Sequence, residues 1–324
     1  MIEGIKANNF VVVGRVGMDL FPAVGVAVED ADSMTADMGG SSANIAAGIV
    51  KLGGKAALVT CVSDDAVGQF CRNKLAHYGV DATYVKSVGG EARNSLALYE
   101  SRVQGHQSVI YRNGAADFAM TTADVEAVDY ARFGALVTAG TVFASEPSRS
   151  AAFRAFELAR AAGLPIIFDV DYRPYSWPSA QVAEEVLSKA GAMSDVIVGN
   201  DDEFGFMAGA KDKGLEMARA LAATSAKIVV YKMGEHGAIT FADGEEIRTG
   251  IYEVRALKPT GAGDSFMAGL LTSLADGHDL KTAVLRGSAC AAIVVAKPGC
   301  APAMPYPADL DEFLAAHASP TDVT

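Results

Sequence analysis

Residues 259–266 combine small residues with a single carboxylate, a pattern typical of an anion-binding turn that also carries a base. Gly261, Ala262 and Gly263 let consecutive backbone N–H groups converge on one point, and the apolar helix predicted after them directs its positive end there. Asp264 repels an anion at such a point, but it could accept the proton of a hydroxyl group that attacks a phosphoryl group. The alternative interpretation is that Asp264 only caps the helix.

A second small-residue segment, residues 39–46, also predicts a ligand site. Gly39 and Gly40 precede a helix of small residues, so a polyhydroxylated ligand could approach the backbone closely, and Asn44 offers both a donor and an acceptor. Asp19 could bind two hydroxyl groups of the same ligand. The alternatives are an ordinary loop with a helix cap at the glycines and a solvated loop acid at Asp19.

Two arginines are candidates for binding a substrate carboxylate. Arg112 and Arg173 each carry a guanidinium group, which meets a carboxylate through two parallel hydrogen bonds. Either arginine alone is more often a surface residue. Asp169 and Asp171 flank the end of a predicted strand and suggest the paired acids of a hydrolase, but no second acid pair accompanies them, so that interpretation is disfavoured.

Two further segments suggest a nucleotide and its metal ion. Asn200 and Glu203 lie one helical turn apart after a predicted strand, and could orient Mg²⁺ through water; an acid-rich helix N-terminus is the alternative. Lys232, Gly234 and Gly237 end another strand and open a glycine-lined turn, near which phosphates or a ribose could lie. The alternative for this turn is an ordinary hairpin.

Several motifs that would indicate other chemistry are missing from the sequence. There is no GxxxxGK[ST] loop and no HExxH pair, and the five histidines are scattered, which disfavours a catalytic metal cage. Gly261 and Gly263 resemble the start of a dinucleotide fingerprint, but Phe266 occupies the third glycine position near the end of the chain. A nicotinamide-dependent dehydrogenase is therefore disfavoured.

The elements that must position these residues alternate along the chain. Apolar, β-branched runs predict strands at 10–14, 57–62, 136–140, 166–170, 196–199 and 228–233, and helices are predicted at 44–52, 67–78, 148–162, 180–190 and 214–223. Such alternation favours a mostly parallel sheet flanked by helices. Ligands bind outside the carboxyl ends of the strands of such a sheet, where the candidate residues fall.

Two stretches break this alternation and predict a lid. Residues 19–38 and 93–112 read as strands without intervening helices, which suits a small β-sheet over the edge of the main domain. The predicted main domain comprises residues 1–14, 39–92 and 113–324, and the predicted lid comprises residues 15–38 and 93–112.

Composition sets the class of protein. The 324 residues are 50% hydrophobic and 20% charged, which allows one large α/β domain with a small appendage. A formal net charge of −12 argues against nucleic-acid binding, so an anionic substrate would need a locally positive pocket. The four cysteines form no CxxC pair, no basic and apolar leader is present, and the longest apolar stretch is too short to span a bilayer. We expect a cytoplasmic enzyme with no membrane role.

Three ordered motifs resemble the ribokinase/PfkB family of sugar kinases. They are residues 39–44, the pair Asn200-x-x-Glu203, and residues 260–266. The resemblance spans nearly the whole chain and implies a Rossmann-like domain with a β-sheet lid and ATP as phosphoryl donor. It also implies that Asp264 is the general base, that the amides of residues 261–263 stabilise the transferring phosphoryl group, and that Thr260 lies in the ATP site.

Further segments resemble one branch of this family. Residues 111–117, 168–178 and 299–305 are similar to the kinases that phosphorylate 5-dehydro-2-deoxygluconate in myo-inositol catabolism. Carried over, Arg112 and Arg173 would hold the C1 carboxylate and leave the C6 hydroxyl near Asp264. The alternatives are a 2-keto-3-deoxygluconate kinase, another PfkB sugar kinase, or a non-catalytic sensor on the same fold, which retention of a base at the cradle disfavours.

The family also suggests two properties of the assembled enzyme. Many members carry an acidic residue two positions before the signature threonine, where it helps to bind a monovalent cation, whereas this chain has Lys258. We predict weak or absent activation by K⁺, with the ammonium group replacing the charge of the ion. Lids in this family often pair their exposed strands, so a homodimer is expected.

Overall fold

The strands of the main sheet form mostly where the sequence has short apolar and β-branched runs. The structure is a computed structural model and describes residues 2–102 and 105–322. Met1, Val103, Gln104, Val323 and Thr324 fall within the predicted domain bounds and lie outside the described residues. The strands are β1 (Asn9–Val13), β2 (Gly17–Phe21), β3 (Thr35–Gly39), β4 (Lys55–Ser63), β5 (Val85–Val88), β6 (Leu96–Tyr99), β7 (Ser108–Tyr111), β8 (Ala135–Ala139), β9 (Ile166–Asp169), β10 (Val196–Asn200), β11 (Ile228–Lys232), β12 (Ala238–Ala242) and β13 (Glu245–Thr249). The α-helices are α1 (Ser41–Lys51), α2 (Ala66–His77), α3 (Thr122–Glu126), α4 (Ser148–Ala161), α5 (Ala180–Ala192), α6 (Asp201–Met207), α7 (Gly214–Thr224), α8 (Ala262–Ala275), α9 (Leu280–Val295) and α10 (Pro307–Ala316).

Nine strands form one sheet, the main sheet, in the order β13-β12-β11-β10-β9-β8-β1-β4-β5. The pairs between β5 and β11 are parallel, and the β11–β12 and β12–β13 pairs are antiparallel. Helices on both faces require strands that are apolar on both sides, so the central strands read as continuous aliphatic runs. The predicted α/β class with a mostly parallel sheet is confirmed.

The side chains of β1 show how the main sheet separates two cores. Phe10 and Val12 pack with α1, α8 and α9, whereas Val11 and Val13 pack on the opposite face with α4 and α5. This division follows from the two-residue period of a strand. None of the helices in the described ranges is long and apolar enough to cross a lipid bilayer.

Four strands form a separate small sheet in the order β3-β2-β6-β7. They come from the two segments predicted as a lid, with β3 continuing one residue further to Gly39. Only Phe21, Ala97 and Tyr99, joined by the partly buried Ile110, form a core of their own here. The division into a main domain and a lid stays a prediction.

The hairpin of β12 and β13 at the edge of the main sheet was not predicted. Its turn is Asp243-Gly244, and both residues have positive φ, 52° and 80°. An Asp-Gly pair is a strong hairpin signal because both central residues of this turn type need the left-handed region. The helix α9 was not predicted either.

Candidate active site

A cavity of about 580 Å³ lies at the carboxyl ends of β1, β9, β10 and β11. The start of α1, the start of α8 and residues of the small sheet complete its walls, and we call it the main cavity. The predicted site residues that line it are Asp19, Gly40, Asn44, Arg173, Asn200, Glu203, Lys232, Gly234, Gly237, Thr260, Gly261, Ala262, Gly263 and Asp264. Gly39 and Arg112 do not line it. Residues from distant parts of the sequence therefore meet where an α/β sheet binds ligands.

The turn before α8 has the geometry of an anion cradle. Gly261 is the N-cap of this 14-residue helix in the left-handed conformation, with φ 84°, and a Cβ there would lie 3.0 Å from Cys300 Sγ. A Cβ on Gly263 would lie 3.5 Å from Lys232 Nζ, so an ammonium group stands beside the cradle. The free N–H groups of the first helical turn and the lysine together favour an anion at this point.

Asp264 lies in the first turn of α8 and faces the cavity. Its Oδ2 accepts a hydrogen bond of 2.9 Å from Asn44 Nδ2, which joins the start of α8 to α1. Loss of solvent and the nearby charge of Asp171 raise the pKa of Asp264 to about 6, although the Asn44 hydrogen bond opposes the shift. A carboxylate with this pKa is ionised at neutral pH and is a stronger base than an ordinary aspartate.

Gly39 and Gly40, which precede α1, are required for different steric reasons. Gly39 is buried in β3, and a Cβ there would overlap the carboxylate of Asp19, so this glycine makes room for the acid. Gly40 has φ 96°, and a Cβ there would lie 2.6 Å from the Arg15 carbonyl oxygen. Asp19 is buried, and desolvation raises its pKa to about 7 although the charge of Arg15 opposes this.

The structure separates the two arginines that were predicted to hold one carboxylate. Arg173 lines the main cavity, and its Nη2 lies 2.7 Å from Asp171 Oδ1. Asp171 has φ 35°, an uncommon conformation for a residue with a side chain. Arg112 forms a buried ion pair with Asp117 and stacks over Phe118, 4.1 Å from the ring centroid. It lines a neighbouring side cavity of about 870 Å³ instead.

Asn200 and Glu203 form a reciprocal cap at the start of α6. Asn200 Oδ1 accepts from the Glu203 N–H, and Glu203 Oε2 accepts from the Asn200 N–H, both at 2.8 Å. Asp169 shares this part of the cavity, and burial and the charge of Glu203 raise its pKa. Burial and the charge of Asp171 raise the pKa of Glu203. Buried carboxylates that repel one another favour a bound cation, and hard oxygen donors suit Mg²⁺.

This acidic corner is not a ready-made metal cage. Among residues 2–102 and 105–322, no group of three or more His, Cys, Asp or Glu side chains has an arrangement that could hold a metal ion. Mg²⁺ keeps several of its waters when bound, so one or two carboxylates are sufficient. The donor set thus fits contact through water.

The opposite wall of the main cavity suits a nucleotide. Gly234 and Gly237 follow β11 with φ of 57° and 81°, so the chain turns sharply beside Lys232. Apolar side chains line the cavity beyond this turn: Ala238, Ile251, Val284 and Ala291. Phosphate-binding groups and an apolar wall thus lie side by side.

Lys258 is buried behind the cradle rather than in the main cavity. Its ammonium group donates to the Thr260 carbonyl and, at 3.3 Å, to the Val294 carbonyl. Burial lowers its pKa, while the negative charges of Asp264 and Asp19 oppose that shift. The lysine ties the segment before α8 to the end of α9.

Sequence reasoning missed several residues of the main cavity. Arg15 follows β1 directly, and the rule that ligands bind at the carboxyl ends of strands could have found it. Tyr99 comes from the small sheet, where no local pattern distinguishes a cavity residue from a core residue. Asp171 was weighed only as a hydrolase acid and instead pairs with Arg173.

Comparisons with known proteins agree with this geometry. The model of the pfkB family of carbohydrate kinases matches residues 7–307. A 5-dehydro-2-deoxygluconokinase from Photobacterium profundum is 36% identical over 311 residues, which cover 94% of each chain. One from Geobacillus kaustophilus is 33% identical over 318 residues, 96% of this chain and 95% of its own. In fold, the chain resembles the crystal structure of fructokinase from Vibrio cholerae O395 with fructose, ADP and calcium ion bound, with a TM-score of 0.82, 24% identity and coverage of 95% and 99%.

Proposed function

The chain belongs to the pfkB family of carbohydrate kinases, and we propose that it transfers the terminal phosphoryl group of ATP to the C6 hydroxyl of 5-dehydro-2-deoxygluconate. The product is 6-phospho-5-dehydro-2-deoxygluconate. The observation that carries the proposal is the Asn44–Asp264 pair beside the N-terminus of α8, because it sets a carboxylate of raised pKa against an anion cradle. The acceptor is inferred from the relatives, which are 5-dehydro-2-deoxygluconokinases.

In the proposed reaction Asp264 is the general base. The acceptor oxygen forms a bond to the terminal phosphorus of ATP, its proton passes to the Asp264 carboxylate, and the bond from phosphorus to the leaving oxygen of ADP breaks. Asn44 donates to Asp264 at 2.9 Å and holds it in position.

Charge that develops on the transferred group is stabilised at the cradle. The N–H groups of Gly261, Ala262 and Gly263 serve as the anion hole, and the positive end of α8 adds to their field. Lys232 supplies a full positive charge on the same side. Because these groups are fixed before the reaction, no reorganisation is required as the charge moves.

ATP binds along the nucleotide wall with its phosphates toward the cradle. Thr260, Asn200, Gly234 and Gly237 flank the phosphates or ribose, and the apolar side chains beyond them receive the base. Asn200 and Glu203 would hold Mg²⁺ through water. When bound, Mg²⁺ neutralises charge on the phosphate oxygens.

The sugar acid binds on the other side of Asp264. Asp19 accepts hydrogen bonds from acceptor hydroxyls, Gly40 permits close approach of the chain, and Arg173 lies where the carboxylate end extends. Arg112 would contact the acceptor only if the small sheet moved, since it pairs with Asp117 and lines the side cavity. Closure of this sheet excludes water, so ATP is not hydrolysed.

The position of the new phosphate tests this function. The enzyme is incubated with ATP, Mg²⁺ and 5-dehydro-2-deoxygluconate, and the product is examined by two-dimensional ³¹P–¹H NMR. Coupling of phosphorus to the C6 methylene protons is expected. A phosphate at another carbon contradicts the proposed orientation, and release of inorganic phosphate without a sugar phosphate contradicts the function.

A homodimer through the small sheets is proposed as the assembly. β3 and β7 form the two edges of this sheet, and β7 exposes 38% of Val109 and 60% of Tyr111. Exposed edge strands with apolar side chains pair readily with another copy. Analytical ultracentrifugation at micromolar concentration checks this, and a monomer there contradicts it.

A further inference from the structure

Arg15 lines the main cavity but has no role in the function proposed above. It follows β1, and its backbone is tightly held: its carbonyl accepts the Ala43 N–H at 3.2 Å and closely approaches Gly40. The residue is only 5% exposed. The end of β1 and the start of α1 thus fix the backbone position of Arg15.

The guanidinium group of Arg15 lacks a counter-ion in direct contact. Its Nη1 donates to Ser95 Oγ at 3.3 Å, and its Nε has no hydrogen-bond partner. Among the described residues, no carboxylate forms an ion pair with it. Asp19 and Asp171 act on it only at longer range. Together with Asp117 these charges raise the pKa of Arg15 against the effect of burial, so the guanidinium stays charged. What it lacks is an acceptor for Nε, and a buried donor without a partner is costly unless a ligand supplies that acceptor.

The other two arginines near the acceptor are already paired. Arg173 contacts Asp171 at 2.7 Å, and Arg112 contacts Asp117. A substrate carboxylate at Arg173 competes with Asp171 for the same donor. Arg112 keeps two buried donors without a partner, Nε and Nη1, but it lines the side cavity and not the main cavity. Arg15 combines a place in the main cavity with an unused donor, so a carboxylate bound in that cavity gains a new hydrogen bond there.

Tyr99 adds a second donor next to Arg15. It lines the main cavity together with Arg15. Burial and the nearby Asp19 raise the pKa of Tyr99 well above its usual range, so its hydroxyl keeps its proton and can donate. A guanidinium beside a phenol hydroxyl is a donor set for a planar carboxylate.

We propose that Arg15 binds the carboxylate of the acceptor and thereby makes the enzyme select sugar acids over neutral sugars. This inference rests on the proposed kinase function, since it concerns the same cavity. It gives the principal ionic contact to an arginine that lines the same cavity as Asp19 and Tyr99, whereas Arg173 supports the carboxylate from the side of Asp171.

The test compares two acceptors that differ only in charge. One is 5-dehydro-2-deoxygluconate, and the other is the neutral ketose in which a CH₂OH group replaces the C1 carboxylate. The wild-type enzyme, Arg15→Gln and Arg15→Lys are assayed with both. Arg154→Gln is the control, because Arg154 lies on α4, away from the main cavity, and pairs with Glu126 and Glu157.

Arg15→Gln is expected to lower the ratio of kcat/KM for the acid to kcat/KM for the ketose by roughly 10- to 100-fold, the range for losing a hydrogen bond to a charged group. The loss appears mainly in KM for the acid, while KM for ATP stays the same. Arg15→Lys keeps the positive charge but loses the two parallel hydrogen bonds of a guanidinium, so its ratio falls less than that of Arg15→Gln. Arg154→Gln keeps the wild-type ratio.

Three other outcomes would contradict either the role of Arg15 or the kinase function. If Arg15→Gln keeps the wild-type ratio, the inference is wrong while the kinase function stands. If circular dichroism shows that Arg15→Gln does not fold, Arg15→Lys decides, and an unchanged ratio in that variant overturns the inference. If the wild-type enzyme phosphorylates no sugar acid, the proposed function fails and the inference fails with it.

Discussion

The two ends of the main cavity are built in different ways. The phosphoryl end comes from one continuous segment, residues 259–266, and uses backbone N–H groups, a helix terminus and a single carboxylate. The acceptor end uses side chains from distant parts of the chain, among them Arg15, Asp19, Tyr99 and Arg173. In the proposed function, a local pattern thus specifies the chemistry of the reaction, whereas the choice of acceptor depends on tertiary arrangement.

The ends also differ in how their charges are balanced. At the phosphoryl end one carboxylate, Asp264, stays partly uncompensated, which raises its pKa to about 6 and suits a base. At the acceptor end the charges are mixed: Asp171 and Arg173 neutralise each other, while Arg15 is without a contacting carboxylate among the described residues. Substitutions at the phosphoryl end should lower kcat, and substitutions at the acceptor end should raise KM for the sugar acid.

The largest expected effect follows from replacing the base. Asp264→Asn should lower kcat by ~10²–10⁴ and leave binding of acceptor and ATP nearly unchanged, because only proton transfer is lost. Steady-state kinetics together with calorimetric binding of the acceptor measure both quantities. Asp276→Asn is the control, since Asp276 is exposed at the far end of the same helix. Near-normal kcat in Asp264→Asn would rule out this residue as the base.

The cradle is tested by a pair of matched glycines on α8. Gly261 and Gly277 flank the helix with φ of 84° and 88°, but only a Cβ on Gly261 meets a neighbour, Cys300. Each change to Ala should cost about 1 kcal/mol or more in the free energy of unfolding through backbone strain. Only Gly261→Ala should also lower kcat, by roughly 10- to 100-fold, because it displaces the anion hole. Equal kcat values in the two variants would show that the cradle at Gly261 does not contribute to catalysis.

The pH dependence distinguishes the two ends in one experiment. Asp264 and Asp19 must both be ionised, and their pKa values are about 6 and about 7. The value of kcat/KM for the acceptor should therefore fall as pH decreases through 7 and more steeply below 6. Asp19→Asn should remove the inflection near 7 and keep the one near 6. A flat wild-type profile between pH 5 and 8 would contradict both assignments.

The smallest expected effect concerns monovalent cations. Because the Lys258 ammonium group already occupies the carbonyl oxygens of Thr260 and Val294, replacing a bulky organic cation with K⁺ at constant ionic strength should leave kcat unchanged. The rate of ADP formation at saturating substrates measures this. A several-fold rise with K⁺ would show that the lysine does not replace the ion.

The sequence was sufficient to predict the main sheet and to place residues 260–264 at a cavity, because both depend on short-range patterns, while the roles of those residues stay a prediction. Asp264 and the glycines before it are adjacent, and apolar runs identify buried parallel strands. The contact between Asn44 and Asp264 spans 220 positions, so each residue could be proposed but their hydrogen bond could not. The Asp243-Gly244 turn carried a usable signal that was overlooked.

The acceptor end was predicted less completely for a physical reason. Any arginine in the sequence could bind a carboxylate. Only the fold shows that Arg112 forms an ion pair with Asp117, and that Arg15 forms no ion pair with a carboxylate among the described residues. Gly39 was predicted to contact a ligand, but its small size instead makes room for Asp19. Residue type alone does not reveal which internal contacts a side chain already makes.

The most direct test of the central claim is the rate of ADP release with ATP and Mg²⁺ for two sugar acids. The wild-type enzyme is assayed with 5-dehydro-2-deoxygluconate and with 2-keto-3-deoxygluconate, and kcat/KM is compared. A clear preference for 5-dehydro-2-deoxygluconate is predicted. A preference for 2-keto-3-deoxygluconate would contradict the proposed acceptor, and turnover of neither acid would contradict the assignment of the acceptor end altogether.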